Sequence, residues 1–323
     1  MRRRFTTLDV FTDRPFAGNP LAVLPDARGL SEAQMHAVAR EFNFSETTFV
    51  LPPSTADAAR RVRIFTPGGE IPFAGHPTIG TAIALVADGY VAMGERRLDL
   101  VFELGAGPTP VTVTVDHGRY AATFTAPRRP VRGPTTPPER VAAALGLPAD
   151  AIDSAAHPPV DIGCGLDFVA VRLRDGDALA ACGPRLDAWA ELESPAAGHG
   201  VVAYVVEAAG RLRGRMFGPG VGVVEDPATG SAAAALGGLL AGLEPAADGR
   251  LAWTLTQGVE MGRPSRLEVA ADKAGGEVTA VRVAGAAVVV ADGTIELPDR
   301  LESAGASTGV SPRNSGSISA STG

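Results

Sequence analysis

Lysine is almost missing from this chain: of 29 basic residues, all but Lys273 are arginine. A Schiff-base enzyme needs a lysine desolvated in a pocket. Lys273 falls in ADKAGGE, whose composition predicts a solvated turn, and this argues against pyridoxal-type or aldolase-type chemistry. Cysteine is nearly as scarce. The two residues present, Cys164 and Cys182, make no disulfide framework and fit a reducing, cytoplasmic setting. Long apolar runs are absent, and none approaches the roughly 20 residues needed to span a bilayer. The amino terminus, MRRRFTTLDVFT, runs into an alternating pattern rather than a signal-peptide core. Nor is there an excess of positive charge: the net charge of −7 argues against a general nucleic-acid or anionic-membrane surface. H-E-x-x-H, C-x-x-C and Walker-type loops are missing, and GPGVGV at 218–223 is not a dinucleotide fingerprint. The five histidines (36, 76, 117, 157, 199) lack metal-ligand spacing, so no metal is expected.

What is present reads as a soluble globular protein, with 45% hydrophobic and 20% charged residues over 323 positions. Residues 8–24 predict strand, tight turn, strand, with Gly18, Asn19 and Pro20 as turn residues. A helix follows from about Ser31, where Ser31 and Gln34 form a capping-box pattern and Met35, Val38, Ala39 and Phe42 share a face. FSETTFVLP and residues 61–66 read as strands, and GHPTIGTAIALVADG as a helix with Pro77 in its first turn. Residues 98–125 alternate like a β-meander, and APRRPVRGPTTPPER reads as an interdomain connection.

The second half repeats this order. Arg63-Ile64-Phe65 corresponds to Arg215-Met216-Phe217, and the pattern E-x-P-x-x-G recurs as Glu70/Pro72/Gly75 and Glu225/Pro227/Gly230. Upstream of each copy lie a helix and a strand, SEAQMHAVAREF with TTFVLP and RLDAWAEL with VVAYVVE. The expected division is an N-terminal half over 1–127, a C-terminal half over 128–302 whose last strands can return to the first half, and a disordered Ser/Gly/Ala-rich tail over 303–323.

Both copies of E-x-P-x-x-G lead into small-residue helices that are apolar on nearly every face and therefore belong at the centre of a sheet. Their N-termini favour a negative ligand, and Gly75 and Gly230 allow one to approach the backbone. Taken singly, each loop reads as turn glycines, with Ser231 as an N-cap; the repetition favours a shared site. The copies differ where chemistry would sit. Asp226 stands opposite Ile71, Ser45-Glu46 opposite Gly198-His199-Gly200, and His76 opposite Ser231. A carboxylate in a semi-apolar pocket has its pKa raised, which suits it to general acid/base work near neutral pH. Cys164, in DIGCGLDF, reads as an ordinary buried thiol rather than a nucleophile or proton carrier, and Arg263, in QGVEMGRPSRL, either supports the cleft or pairs with a surface acid.

At these residues the sequence resembles the PhzF-like (phenazine-biosynthesis) family of isomerases and epimerases, related in fold to diaminopimelate epimerase. The matching stretches are DVFTDRPFAGNPLAVL, FNFSETTFV, RIFTPGGEIPFAGHPTIGTA, EDPATGSAAAALGGLL and QGVEMGRPSRL, in family order over roughly residues 5–300. The resemblance implies an α+β fold of two pseudo-symmetric barrel-like sheets, each wrapped around a central helix. It also implies a cofactor-free site between them and a homodimer. Glu46 takes the place of the catalytic acid/base, His76 and Asp226 that of its supporting pair, and Ser45, Gly75, Gly230 and Ser231 those of substrate contacts. In the phenazine enzyme the glutamate shuttles a proton between ring carbons of trans-2,3-dihydro-3-hydroxyanthranilate. The cysteine pair of diaminopimelate epimerase is absent from the corresponding loops, which disfavours a two-thiol racemase. The implied function is proton transfer on a small carboxylate-bearing metabolite of secondary metabolism. The alternatives are a non-catalytic small-acid binder and a lyase or hydrolase on the same scaffold.

Overall fold

A computed structural model describes residues 1–299, so the expected tail at 303–323 lies outside the described residues. The first half runs β1 (Arg2–Val10), β2 (Asn19–Leu24), α1 (Glu32–Phe42), β3 (Glu46–Leu51), β4 (Arg60–Thr66), β5 (Gly69–Ile71), α2 (Gly75–Ala87), β6 (Arg97–Leu104), β7 (Gly107–Asp116) and β8 (Arg119–Thr125). The second runs β9 (Val131–Thr135), α3 (Pro138–Ala144), β10 (Val160–Gly163), β11 (Asp167–Arg172), α4 (Gly176–Ala181), α5 (Leu186–Trp189), β12 (Val201–Ala208), β13 (Arg211–Gly218), β14 (Val223–Asp226), α6 (Gly230–Leu243), β15 (Gly249–Gln257), β16 (Ser265–Ala274) and β17 (Glu277–Glu296).

The pairings of the two halves correspond one to one. Antiparallel β1–β2, parallel β2–β3, antiparallel β3–β4 and β4–β5, and parallel β4–β6 recur as β10–β11, β11–β12, β12–β13, β13–β14 and β13–β15. The meander β6–β7–β8 then matches β15–β16–β17. Each half also receives a strand that follows the other half's meander. β9 pairs with β10, and the end of β17 pairs with β1. The Pro/Arg-rich run expected as a plain connection thus contains the strand β9.

Local chemistry explains the elements. The Ser31–Gln34 capping box starts α1 as expected, and Asn43 in the left-handed region ends it. α2 and α6 are buried on almost every side, and glycine lets each pass inside its barrel. A Cβ on Gly80 would lie 2.5 Å from Leu21, and one on Gly237 2.3 Å from Val269. The outer faces of β2–β4 and β11–β13 are covered by α1 and by α3–α5, so the middle strands of these layers, such as β12 (VVAYVVEA), are apolar on both faces.

The repeated Arg and Glu residues do the same job twice. Arg63 binds both oxygens of Glu70, and Arg215 binds both oxygens of Glu225, each clamping the hairpin that enters a central helix. Each guanidinium also lies over the phenylalanine two residues on, Phe65 or Phe217. Lys273 corrects the solvated-turn expectation. It is buried in β16 and donates to the carbonyls of Ala241 and Glu244 at 3.0 and 2.7 Å. The C-terminal carbonyls of α6 need donors, and the sheet supplies one from a residue distant in sequence.

Candidate active site

The N-termini of α2 and α6 meet. A Cβ on Gly75 would lie 2.6 Å from the backbone of Gly230, and one on Gly230 2.9 Å from Cα of Gly75. The nearest demand on these glycines is therefore the helix–helix contact, not room for a ligand alone. Neither helix has a side-chain N-cap bond: Ala74 has no acceptor to offer, and the Thr229 hydroxyl is engaged with Asp226 and Gln257 instead. Ser231 is therefore not the N-cap but lies one residue inside the helix, 5% exposed. Two uncapped helix starts, with their partial positive charge, face the same seam.

Glu46 opens β3 beside β2, and His76 lies in the first turn of α2. Their atoms Glu46 Oε2 and His76 Nε2 stand 3.4 Å apart. Both are buried, and neither has a hydrogen-bond partner among the described residues. Burial chiefly, then the neighbouring charge of Asp226, holds the Glu46 carboxyl well above its usual range. Burial also pushes His76 down to about 3, so it is neutral at ordinary pH, although the Pro20 carbonyl favours its protonated form. Glu46 keeps 15% of its side chain exposed against 2% for His76, so the acid's side chain lies nearer the surface than the imidazole.

Asp226 comes from the other half, at the end of β14, and is raised to about 6, mainly by burial. Unlike Glu46 it is fully engaged: Oδ1 accepts from Asn19 at 2.8 Å and Oδ2 from Thr229 at 2.5 Å. Its side chain does not cap α6. The residue at the centre was expected only as a turn former. Asn19, fully buried, accepts from the Ser45 hydroxyl at 3.0 Å and donates to Asp226 and to the Ala228 carbonyl. Gln257 was also missed. It accepts from the Thr229 amide and donates to the Asp226 carbonyl at 2.7 Å, tying the end of β15 to the loop before α6. An asparagine at a turn-to-strand junction within one of the stretches that match the family was the available signal for the first; for Gln257 there was none.

All seven expected residues gather at the seam or at the helix starts that form it, and Arg263 joins from outside. It donates to the carboxylate of buried Asp9 and to the carbonyls of Ala17 and Gly18. Its partner is thus a buried acid of the other half, and it braces the turn before Asn19. The register also shows why only one half supplies the acid. Thr47 faces Phe65 as Val201 faces Phe217, which makes Gly200 the counterpart of Glu46 and His199 that of Ser45. Gly200 has φ +150°, and a Cβ there would lie 2.5 Å from the Phe217 carbonyl. Cys164 is buried with its thiol pushed up to about 12, which leaves it without thiolate character. A hollow of about 770 Å³ on the outer face of β6 and β7 contains none of these groups.

Residues 8–293 match the model of the PhzC-PhzF family, described as phenazine biosynthesis-like protein. The chain belongs to this family. It is 39% identical to an uncharacterised isomerase of Mesorhizobium japonicum, over 91% of this chain and 98% of that protein. It is also 39% identical to the trans-2,3-dihydro-3-hydroxyanthranilate isomerase of Pseudomonas aeruginosa, over 91% and 99%. The crystal structure of a Bacillus anthracis protein of the PhzF family superposes with a TM-score of 0.80 at 26% identity, covering 92% of this chain and 99% of that one. A hydroxyproline epimerase from Agrobacterium vitis, 14% identical with a TM-score of 0.61, shares the fold. The expected fold, two barrel-like halves around central helices, is borne out.

Proposed function

We propose that this chain is a cofactor-independent isomerase or epimerase that moves a proton on a small carboxylate-bearing metabolite, with Glu46 as general acid/base. The coarser part, isomerase, rests on family membership and on relatives named isomerases. The observation that carries the finer part is the pair Glu46 Oε2 and His76 Nε2, two buried polar atoms 3.4 Å apart without hydrogen-bond partners among the described residues. Buried polar groups in folded proteins are nearly always satisfied, so an unsatisfied acid beside an unsatisfied imidazole fits a place kept for substrate.

On this reading Glu46, its pKa raised, takes a proton from a carbon next to an electron-withdrawing group and returns it to another position or face. Neutral His76 offers Nε2 as acceptor for the proton that Glu46 carries between the two steps. Asp226 orients from the opposite side. The uncapped starts of α2 and α6 receive the substrate carboxylate at Gly75, Gly230 and Ser231, with Ser45 beside them. The division near residue 127, a homodimer and a cytoplasmic, secondary-metabolic role belong to the same proposal.

Glu46→Gln keeps the shape and removes the acid. It should leave the melting temperature near that of the wild type and lower kcat by about 10² or more on the productive substrate. Screening starts with trans-2,3-dihydro-3-hydroxyanthranilate and continues through cyclic and acyclic amino acids in deuterated water. The wild type should incorporate deuterium without releasing a fragment. Wild-type turnover in the Gln variant would sink the assignment, and a released fragment would make the enzyme a lyase or hydrolase.

A further inference from the structure

We infer that Asn19 is the positioning residue of the site: one carboxamide couples the Asp226 side to the Ser45-Glu46 side across the seam. The inference deepens the proposed function and rests on it for the roles of Glu46 and Asp226, but the geometry stands by itself.

Asn19 is 0% exposed, and every hydrogen-bonding capacity it needs is met. Oδ1 accepts from Ser45 Oγ at 3.0 Å, which fixes the residue directly before Glu46. The two hydrogens on Nδ2 go to Asp226 Oδ1 at 2.8 Å and the Ala228 carbonyl at 2.9 Å. Nδ2 also lies 3.2 Å from His76 Nδ1, but its two protons are already spent at shorter contacts. Asn19 thus fits this arrangement only in one amide orientation. An aspartate would face Asp226 with a second carboxylate; a serine would reach one side but not the other.

Asn19 is held in turn by its own surroundings. Its turn is braced by Arg263 through Asp9 and the carbonyls of Ala17 and Gly18. Gly18, at φ +66°, packs where a Cβ would lie 2.3 Å from the Val10 carbonyl. The ionisable groups that act on Asp226 besides this amide are Glu46 and Glu225, with His76 on the far side of Asn19.

The test uses the full-length protein with Asn19→Ala, Asn19→Asp and the double variant Asn19→Asp/Asp226→Asn. Without substrate, ¹³C-carboxyl NMR follows Asp226, and thermal melts follow stability. In Asn19→Ala the Asp226 carboxyl should titrate about one pH unit higher than in the wild type, because a donor to its charged form is gone. Asn19→Asp should melt lower, and the double variant should recover part of that loss, because the hydrogen bond between the two side chains is restored while the Ala228 carbonyl still lacks its donor. With substrate, Asn19→Ala should lose about 10² in kcat while KM stays within about threefold. Should the alanine variant not fold, Asn19→Ser is read in its place. An unmoved Asp226 titration, a double variant without recovery, or a raised KM at constant kcat overturns the inference; the last would make Asn19 a substrate ligand. A shifted Asp226 in a wild type that turns over no acid sinks the proposed function and leaves the coupling intact.

Discussion

Gly75 and Gly230 touch backbone to backbone, so the two halves are joined at the first residues of their central helices. Alanine at either position would place a Cβ 2.6–2.9 Å from main-chain atoms that have nowhere to retreat. Gly75→Ala and Gly230→Ala should each destabilise by about 1–3 kcal/mol, an overpacking cost, and should impair turnover more than distant variants of equal stability. Denaturant melts paired with kinetics decide this; two unperturbed melts would mean the helix starts can move apart freely.

The Arg263–Asp9 pair spans both halves, with Asp9 5% and Arg263 27% exposed at the side chain. Arg263→Gln leaves a buried carboxylate without its cation. The expected loss is about 3 kcal/mol, the low end for a broken buried pair because the arginine keeps some contact with solvent. Urea unfolding measures it, and Asp9→Asn in the same background should return part of the loss.

The repeated Arg–Glu clamps offer an internal control, since geometry is shared and burial is not. Glu70 is 37% exposed and Glu225 16%, and Arg215 also serves the carbonyls of Leu179, Ala180 and Cys182. Glu70→Gln should cost under about 1 kcal/mol and Glu225→Gln about 2–3 kcal/mol. Equal losses in matched melts would show that burial does not set the strength of this pair.

The acid pair also ties stability to pH. Asp226 rises from 3.8 to about 6 on folding, and Glu46 is raised as well. Between about pH 4 and pH 6 the folded protein keeps a proton on Asp226 that the unfolded chain has released. Its contribution is thus most favourable below the unfolded value and is lost as pH rises through the folded one. The stability of the wild type relative to Asp226→Asn should fall by about 3 kcal/mol over that window. A flat difference between the two proteins would place Asp226 in an ordinary aqueous environment.

The duplication was legible because each half must bury its own apolar helix, so the same sequence pattern had to be written twice. Glu46 and Asp226 were legible for the opposite reason, as departures from that repetition. Lys273 misled because a polar, glycine-rich stretch looks the same from the sequence whether its lysine faces water or a helix end.

The sequence by itself determined the two halves, their central helices and the residue types that gather between them. These follow from periodicity and composition, which act over a few turns of chain. The tertiary structure alone decided that Asn19 is the hub, that Gly75 and Gly230 make room for each other, and that Arg263 braces the turn before Asn19. Those contacts join residues some 150 to 250 positions apart. Hydrogen-bond satisfaction at such separations is set by how the halves dock, and no local pattern records it.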